Sequence, residues 1–322
     1  MGKKRVLVCG ATGFIGRNIV EDLAGNPEYE VVGTFYQSEP WEHCGAEMVR
    51  VDLTDPEQID EVIRGTDILI QAAATTSGSK DIVTKPYIHV TDNAVMNSLL
   101  FRAAFEKAVK HVVFFSCTVM YHASPTALKE TDFDANQELH KNYFGVGWTK
   151  VYIEKLCEFY ARIGDTRYSI IRHSNIYGPH DKFDLERSHV FGATMTKVMN
   201  AREGKIVVWG SGEEERDLLY VADLVDFVKL AIDRQEGACE LFNVGSSMAV
   251  SINELVAKII EQSGKAIAVE HDLSKPTIKT SLSLDCTKAR QELGWEPRVV
   301  LEDGIYRTME WYRENIGTLF AG

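Results

Sequence analysis

The feature that most constrains the fold is a glycine-rich turn near the start of the chain, GATGFIG at positions 10–16. It follows an apolar run that predicts a strand, Arg5–Cys9, and opens a run with helical spacing, Phe14–Ala24. One glycine permits the tight turn, a second lets the backbone approach a pyrophosphate, and a third lets helix pack on strand. The first amides of the helix would then face the phosphates. The turn therefore predicts a dinucleotide site on the first strand and helix.

Strand-like and helical runs continue to alternate through the first half of the chain. Further strands are predicted at 29–34, 47–51, 67–71, 111–115 and 168–171, and further helices at 56–64, 92–107 and 147–162. Repetition of strand, helix and strand implies right-handed crossovers and a parallel sheet covered on both faces. After Arg172 the elements become shorter, with helices predicted at 222–233, 252–261 and 301–314 and a strand at 241–244.

These patterns predict an α/β fold, a Rossmann-type doubly wound parallel sheet with a smaller C-terminal α/β substrate lobe. We expect residues 1–172 to form the dinucleotide-binding domain, with 217–244 returning to it. Residues 173–216 and 245–322 would form the lobe. The sequence contains no internal repeat, low-complexity tract or linker, so we expect one compact unit.

Composition argues against several classes of function. The formal net charge of −12 at pH 7 disfavours a nucleic-acid surface, which needs a basic footprint. No stretch approaches the roughly 20 apolar residues that span a bilayer, and the apolar run after Arg5 is too short for a signal peptide. The six cysteines form no CxxC pair and have no metal-ligand spacing with histidine. We expect a cytoplasmic protein with reduced thiols, no metal, no membrane contact and no nucleic-acid partner.

The GxxGxxG spacing, rather than GxGxxG, resembles the extended short-chain dehydrogenase/reductases, which include the NAD-dependent epimerases and dehydratases. The resemblance extends over almost the whole chain and implies an NAD(P) cofactor. It places Asp52 and Leu53, just after the third strand, beside the adenine. The residues implied to contact the cofactor are Gly10, Thr12, Gly13, Phe14, Ile15, Gly16, Asp52, Leu53, Ala72, Ala73, Ala74 and Lys150.

The end of the second strand bears on the choice between NAD and NADP. The sequence TFYQS at 34–38 contains no acidic residue that would hold the ribose diol and reject a 2′-phosphate. It also contains no arginine that would bind this phosphate. The pattern leaves both cofactors open and slightly favours NADP.

The fifth predicted strand and the residues after it, 111–120, resemble the segment that carries a catalytic serine or threonine in this family. Aligned without gaps on the GDP-L-fucose synthases of the family, Ser116 takes the serine position. Thr118 takes the place of their active-site cysteine. The serine hydroxyl would hydrogen-bond the substrate oxygen during hydride transfer. The other interpretation is a serine that merely ends a buried strand.

The YxxxK motif of the family is only half present. Lys150, followed by Glu154 and Leu156, fits the lysine side of the motif. In the family this lysine lowers the pKa of the tyrosine and holds the ribose. Val146 stands four residues before Lys150 and has no proton to give. Tyr143 stands seven residues before Lys150, about two helical turns away on nearly the same face.

Glycines on both sides of Val146 make a regular helix doubtful, so a bulge or altered turn could bring Tyr143 into the site. Tyr121 is a second candidate phenol. Three hypotheses remain open. Another group supplies the proton, namely Tyr143, Ser116, Thr118 or water. Alternatively the chemistry needs less acid/base help, or the site is degenerate and binds its ligand without turnover.

The stretch RHSNIYGPHDKF, residues 172–183, is the most informative part of the lobe. Asn-x-Tyr-Gly-Pro is shared by extended short-chain enzymes that act on nucleotide sugars. His-Asp-x-Phe followed by Ser-His-Val is particular to the GDP-L-fucose synthases and close relatives. His189 falls on their histidine general acid, and a pKa near neutrality suits proton transfer. The alternative is a solvent or structural histidine.

The segments WGSG at 209–212 and RDLLYVADL at 216–224 follow the WGxGxxxREFLxVDDL block of the same enzymes. The resemblance implies that Arg216 clamps a diphosphate through its fork of donors. It also implies that Trp209 stacks on the base. The residues implied to contact a nucleotide sugar are Asn175, His189, Lys197, Trp209 and Arg216.

Two functional hypotheses result. The first is an NAD(P)-dependent oxidoreductase or epimerase that transfers hydride at C4 of a nucleotide-activated sugar, with a GDP-sugar favoured. The second is a degenerate protein that binds nucleotide sugars or dinucleotides. Where relatives carry KPDGxPRK, this chain reads KPTIKTSL from Lys275, so a cationic nucleotide contact is lost or moved to Lys279. Relatives pair through the helices that here are 92–107 and 147–162, so we expect a homodimer.

Overall fold

The computed structural model describes residues 2–75, 85–185, 188–201, 204–275 and 281–316. The strands are β1 (Lys4–Cys9), β2 (Tyr29–Phe35), β3 (Glu47–Arg50), β4 (Ile68–Gln71), β5 (His111–Phe115), β6 (Arg167–His173), β7 (Asn175–Tyr177), β8 (Lys205–Trp209), β9 (Glu215–Tyr220), β10 (Cys239–Val244), β11 (Ala249–Ser251) and β12 (Ala268–Asp272). The α-helices are α1 (Phe14–Ala24), α2 (Pro56–Val62), α3 (Thr91–Glu106), α4 (Phe144–Ile163), α5 (Val190–Met199), α6 (Val221–Arg234), α7 (Ile252–Ser263), α8 (Thr287–Leu293) and α9 (Leu301–Asn315).

Seven parallel strands form the central sheet, in the order β10-β6-β5-β4-β1-β2-β3. The predicted α/β fold with a Rossmann-type parallel sheet is confirmed. The strand order reverses its direction across the sheet between β1 and β4. Ligands of such sheets bind at the carboxyl ends of the strands beside this switch point.

Helices cover both faces of the sheet because its strands are apolar on both sides. Helices α1 and α6 pack on one face, and α2, α3 and α4 pack on the other. Within β5, Val113 and Phe115 belong to the first core, whereas Val112 and Phe114 belong to the second. This alternation decides toward which side the residues at the end of β5 point.

The C-terminal part of the chain builds a third core. It contains the three-stranded sheet β11-β9-β7 and the two-stranded sheet β12-β8, with α5, α7 and α9 packed against them. Several of these elements were not predicted, including α5, β8 and β12. The strands are short, β8 alternates between buried and exposed residues, and β12 is almost entirely solvent-exposed.

The doubt about a regular helix around Val146 is wrong. Helix α4 runs without interruption from Phe144 to Ile163 and includes both glycines. A Cβ at Gly147 would lie 2.7 Å from the Leu139 side chain, and one at Gly145 would lie 2.9 Å from the Val90 side chain. The glycines therefore permit close packing of neighbouring segments and do not mark a bulge.

Three further observations concern the described residues as a set. No helix among them has the length and apolarity needed to cross a bilayer. They contain no group of three histidine, cysteine or acidic side chains that could hold a metal ion. All six cysteines are free, and three of them are buried, Cys9, Cys157 and Cys286.

Candidate active site

The glycine turn between β1 and α1 leaves no room for a side chain at two positions. Gly10 has a left-handed backbone with φ of +73°, and a Cβ there would lie 2.6 Å from the Ala73 Cα. A Cβ on Gly16 would overlap the Gly10 carbonyl, so α1 starts directly against the turn. Gly13 is the N-cap of α1 and brings no side-chain hydrogen bond to it. The first amides of α1 are therefore available to an anion.

The loop after β4, residues 72–74, is fixed to α3 by a ladder of amide side chains. Gln71 Nε2 donates to Asn97 Oδ1 at 3.0 Å, and Gln71 Oε1 accepts from the backbone of the loop at 3.2 Å. Asn93 exchanges hydrogen bonds with the Thr75 backbone in both directions. The ladder holds Ala72, Ala73 and Ala74 at the carboxyl end of β4, next to the glycine turn.

Asp52 and Leu53 follow β3. The Asp52 carboxylate accepts hydrogen bonds from the Thr54 amide at 2.9 Å and from the Thr54 hydroxyl at 2.7 Å. These bonds lower the pKa of Asp52. Leu53 is buried in the core beneath it. Asp52 therefore stays ionised and fixes the loop that leads into α2.

The three loops fit a dinucleotide. A pyrophosphate would lie at the start of α1, where the helix amides can donate. The small side chains after β4 leave space beside the turn. Thr12, Phe14 and Ile15, the other predicted contacts, lie in the turn and the first residues of α1. The residues present thus suit an NAD(P) cofactor.

Lys150 lies at the carboxyl end of β5. Its Nζ donates to the Phe115 carbonyl at 2.8 Å and lies 4.8 Å from the centre of the Phe114 ring. Burial lowers the pKa of Lys150, and the neighbouring Cys117 and Glu154 offset part of this effect. An ammonium has three donors, so two remain for ligands.

Ser116 is buried in the protein interior. It is 1% exposed, and its Oγ donates to Glu154 Oε1 at 2.6 Å. Glu154 is also paired with Arg172, whose Nη2 lies 2.6 Å from Glu154 Oε2. The Ser116 hydroxyl therefore belongs to a buried ion pair, and its single proton is already donated to Glu154.

The same interior side holds Tyr121, the second candidate phenol. Arg172 Nη1 donates to Tyr121 Oη at 2.9 Å, and Tyr121 Oη donates to Asn243 Oδ1 at 2.9 Å. Burial raises the pKa of Tyr121 to about 12. We call this set the buried network, and its members are Ser116, Glu154, Arg172, Tyr121 and Asn243.

Cys117 follows Ser116 and packs against a small apolar cluster formed by Met120, Leu139 and Val151. Burial raises the pKa of the Cys117 thiol, and the charge of Lys150 opposes this rise. Thr118 follows and is half-buried, and its hydroxyl makes no hydrogen bond to any described residue.

Tyr143 is the N-cap residue of α4. Burial raises the pKa of its phenol, whereas the charge of Arg216 lowers it, and Cys117 lies close enough to affect it. Because Cys117 is close to both side chains, Tyr143 joins the group around Lys150. Val146 lies one regular helical turn before Lys150 and offers no proton there. Tyr143, the nearest phenol before Lys150 in the sequence, thus stands at the start of the helix.

Two histidines complete the group. His173 ends β6, and its ring contacts the Phe115 ring edge-on with centroids 6.2 Å apart. Burial is the main cause that lowers the pKa of His173 to about 4, and the charges of Lys150 and His189 act in the same direction. His189, the N-cap of α5, also has a lowered pKa because of burial and the charge of Lys182. We call this set the pocket group, and its members are Cys117, Tyr143, Lys150, His173, His189 and Arg216.

A second set of predicted substrate residues lies on the two-stranded sheet. Trp209 is 48% exposed, and the ammonium groups of Lys197 and Lys275 each lie 5.6 Å from the centre of its ring. Lys197 Nζ is fixed by a hydrogen bond to the Val207 carbonyl at 2.8 Å. An exposed indole flanked by two cations suits a planar base and its phosphates.

Asn175 and the pocket-group residue Arg216 lie on paired strands, β7 and β9. Asn175 Nδ2 donates to the backbone of β9 at 3.3 Å. Arg216 Nη1 donates to a carbonyl of its own strand at 2.7 Å, and its guanidinium acts on the Tyr143 phenol. Lys279, the other predicted cationic contact, lies outside the described residues.

The pocket group can perform acid/base chemistry beside a dinucleotide. Lys150 and Arg216 are cations that can hold hydroxyl or phosphate oxygens. The Tyr143 phenol stays protonated at neutral pH because burial raises its pKa, so it can donate. His173 is neutral at the same pH and cannot act as a cation.

Cys117 and His173 are members of the pocket group that the sequence did not single out. The resemblance drew attention to Ser116, one residue away, because family serines end this strand. The alternation along β5 was the signal available for Cys117. For His173 the signal was a histidine at the carboxyl end of a predicted strand, within the stretch 172–183.

Proteins of similar sequence and structure carry the names of enzymes that act on nucleotide sugars. GDP-L-fucose synthase of Azorhizobium caulinodans is 28% identical over 97% of both chains. GDP-L-fucose synthase 1 of Arabidopsis thaliana is 31% identical over 77% of each chain. The crystal structure of UDP-glucose 4-epimerase with UDP-glucose from Thermotoga maritima superposes with a TM-score of 0.86, at 26% identity over 97% of this chain and 99% of the other.

One family model matches most of the chain, from residue 6 to residue 245. The match includes the glycine turn, the complete central sheet and the pocket group. It describes the NAD dependent epimerase/dehydratase family. Three findings lead to one conclusion: the fold suits a dinucleotide, the pocket group lies at the carboxyl ends of β5 and β6, and the family model matches. The chain belongs to the NAD-dependent epimerase/dehydratase family.

Proposed function

We propose that the protein is an NAD(P)-dependent enzyme that transfers hydride at C4 of a nucleotide-activated sugar, with a GDP-sugar favoured. The observation that carries the proposal is the pocket group itself. Lys150, bound to the Phe115 carbonyl at 2.8 Å, keeps two donors in the same group as the half-buried Tyr143 phenol, at the end of the sheet where a nicotinamide would lie. No other cluster of the described residues combines these groups with the glycine turn.

The roles follow from the side chains. Lys150 would hold the hydroxyls of the nicotinamide ribose with its two remaining donors. Tyr143 would give a proton to the sugar oxygen, because its raised pKa keeps the phenol protonated at neutral pH. A bound nicotinamide supplies or accepts the hydride. A phenol that donates its proton suits reduction of a 4-keto sugar, and in the reverse direction its phenolate would act as the base.

The nucleotide would bind across the lobe. Trp209 would stack on the base, with Lys197 and Lys275 beside the phosphates. Arg216, between this set and Tyr143, would bind the diphosphate or the sugar. His189 would lie over the sugar from the start of α5. The GDP preference rests on the names of the relatives, which include GDP-L-fucose synthases.

The test is turnover with a panel of GDP-, UDP-, CDP- and dTDP-linked sugars, both 4-keto and 4-hydroxy. Each is combined with NADPH, NADH or their oxidised forms, and products are identified by mass spectrometry. We expect C4 reduction of a keto sugar on GDP, with NADPH used better than NADH. Absence of hydride transfer with every combination would contradict the proposal. Mass spectrometry of nucleotides that co-purify with the protein narrows the panel.

Val146 favours a second candidate function, binding without turnover. Because α4 is regular, the position one turn before Lys150 presents an isopropyl group. A degenerate protein would still bind cofactor and nucleotide sugar, with no hydride transfer. In that case Val146→Tyr could restore activity, whereas an active wild type excludes this function.

We also propose that residues 1–172 with 217–244 act as the cofactor domain and that the remainder is the substrate lobe.

We further propose that two copies of the chain pair through α3 and α4. The outward faces of these helices carry exposed apolar side chains, Val95 on α3 and Tyr152 and Phe159 on α4. Sedimentation should show a dimer at micromolar concentration. Phe159→Glu should give a monomer, and Val300→Glu, on an exposed site elsewhere, should not. A monomeric wild type contradicts the pairing.

A further inference from the structure

His173 is the member of the pocket group whose protonation pattern the structure defines. Its Nδ1 lies 2.7 Å from the Ser174 carbonyl oxygen. A carbonyl can only accept a hydrogen bond, so Nδ1 must carry the proton. In a neutral ring the proton on Nδ1 leaves Nε2 with a lone pair.

The ring of His173 lies at the edge of the sheet where the proposed function places the reactants. His173 ends β6, directly beside the end of β5, and its ring is held edge-on by Phe115. The Phe115 carbonyl binds Lys150, and His189 approaches from the lobe. His173 thus lies between a residue of the central sheet and one of the lobe. Among the described residues, none donates a hydrogen bond to Nε2.

We infer that Nε2 of His173 accepts a hydrogen bond from an O–H or N–H group of a bound reactant and thereby orients it. The donor is a sugar hydroxyl or the carboxamide of the nicotinamide, which share this chemistry. The inference rests on the proposed function, because it places both reactants at the carboxyl ends of β5 and β6.

Electrostatics assigns His173 this accepting role and excludes a role as proton donor. Burial and the charge of Lys150 keep the imidazole neutral at pH 7, and its single N–H is already donated to the Ser174 carbonyl. A neutral acceptor in this place adds no positive charge beside Lys150. It can select a ligand that presents a donor over one that presents only a carbonyl or methyl group.

The test combines nitrogen NMR of histidine-labelled wild-type protein with binding measurements. The free protein should show a neutral His173 with the proton on Nδ1. Titrations use NADP+, 2′-phospho-ADP-ribose, which lacks the nicotinamide, and 3-acetylpyridine adenine dinucleotide phosphate, which replaces the amide NH₂ by a methyl group. A second series compares GDP-mannose with GDP. The Nε2 resonance should move on binding of the ligand that supplies the donor.

Two variants separate the acceptor from the ring. His173→Phe keeps an aromatic ring against Phe115 and removes the acceptor, so it should weaken the responsible ligand roughly three- to tenfold, the effect of one neutral hydrogen bond. His173→Gln keeps an acceptor near the position of Nε2 and should stay within about twofold of wild type. His122→Gln, an exposed histidine, is the control and should change nothing.

Each outcome decides the inference. A response to NADP+ that is absent with the acetylpyridine analogue assigns the donor to the carboxamide, and a response to GDP-mannose but not to GDP assigns it to a sugar hydroxyl. If the ligands bind but neither the Nε2 resonance nor the affinity of His173→Phe changes, the inference is wrong while the proposed function stands. If no dinucleotide or nucleotide sugar binds, both are wrong. If His173→Phe does not fold, the NMR measurement on wild-type protein still decides whether Nε2 accepts a hydrogen bond from a ligand.

Discussion

The end of β5 and the facing helix α4 have two sides of opposite character. On the interior side, Ser116, Glu154 and Arg172 satisfy one another at 2.6 to 3.0 Å and are almost fully buried. On the pocket side, Lys150 and His173 bind backbone carbonyls and keep further donors or an acceptor for a ligand. Ser116 and Cys117 are adjacent in sequence, and Lys150 and Glu154 are one helical turn apart.

The comparison teaches how to separate structural from reactive polar groups in one segment. A buried carboxylate is tolerated only when its hydrogen bonds and its charge are matched, so the buried network has nothing left for a ligand. Polar groups beside a cleft can keep unused hydrogen-bond donors or acceptors, because a bound ligand then supplies their partners. We expect changes in the buried network to lower stability and changes in the pocket group to lower activity.

The largest expected effect is that of Lys150→Met on activity. The variant keeps an apolar stem of similar length but loses the ammonium that would hold the ribose, so turnover should be abolished and cofactor binding weakened. The melting temperature should be unchanged or higher, since a buried charge is removed. Lys155→Met removes an exposed lysine paired with Glu158 and is the control. Wild-type kinetics in Lys150→Met would contradict the assignment of α4 to the site.

Tyr143→Phe should come next. A general acid contributes about 10²–10⁴-fold, so kcat should fall by that factor with little change in unfolding free energy. Tyr121→Phe is the matched control on the interior side, and it should lower stability and leave the rate intact. If both variants keep the wild-type rate, the proton comes from another group or from water.

Glu154→Ala should have the largest effect on stability. It leaves Arg172 buried without its partner, which typically destabilises by about 3–5 kcal/mol. Glu158→Ala, one turn further on the exposed side of α4, should change the unfolding free energy by less than about 0.5 kcal/mol. Urea unfolding of both variants measures the difference. Equal effects would show that the buried ion pair contributes no more than a surface one.

The central sheet was predictable from the sequence because its strands are buried on both faces. The run at 111–115 and the helix at 14–24 have the predicted bounds, since apolar residues and turn glycines mark them locally. The helix at 190–199 and the strands at 205–209 and 268–272 were missed. The helix and the strand at 205–209 are stabilised by packing in the third core, and the strand at 268–272 by pairing with 205–209, which a local pattern does not record.

The candidate site was predictable in its residue types more than in its geometry. Lys150 was predicted from the spacing of its motif, which can be read without knowing where the side chain points. The preference for Ser116 over Cys117 depended on which of two adjacent side chains faces the pocket, and packing against Glu154 decides that. The two glycines near Val146 suggested a bulge, but contacts with Leu139 and Val90, distant in sequence, explain them.

Ser116→Ala tests the central claim most directly, because the family resemblance and the structure assign this serine to opposite roles. Turnover and urea unfolding are measured on the same preparation. The account predicts that turnover stays within about twofold of wild type and that stability falls by about 1–3 kcal/mol, since the variant removes a hydrogen bond to a buried charged group. A loss of turnover of about a hundredfold or more, with unchanged unfolding free energy, would contradict the account and make Ser116 a catalytic residue.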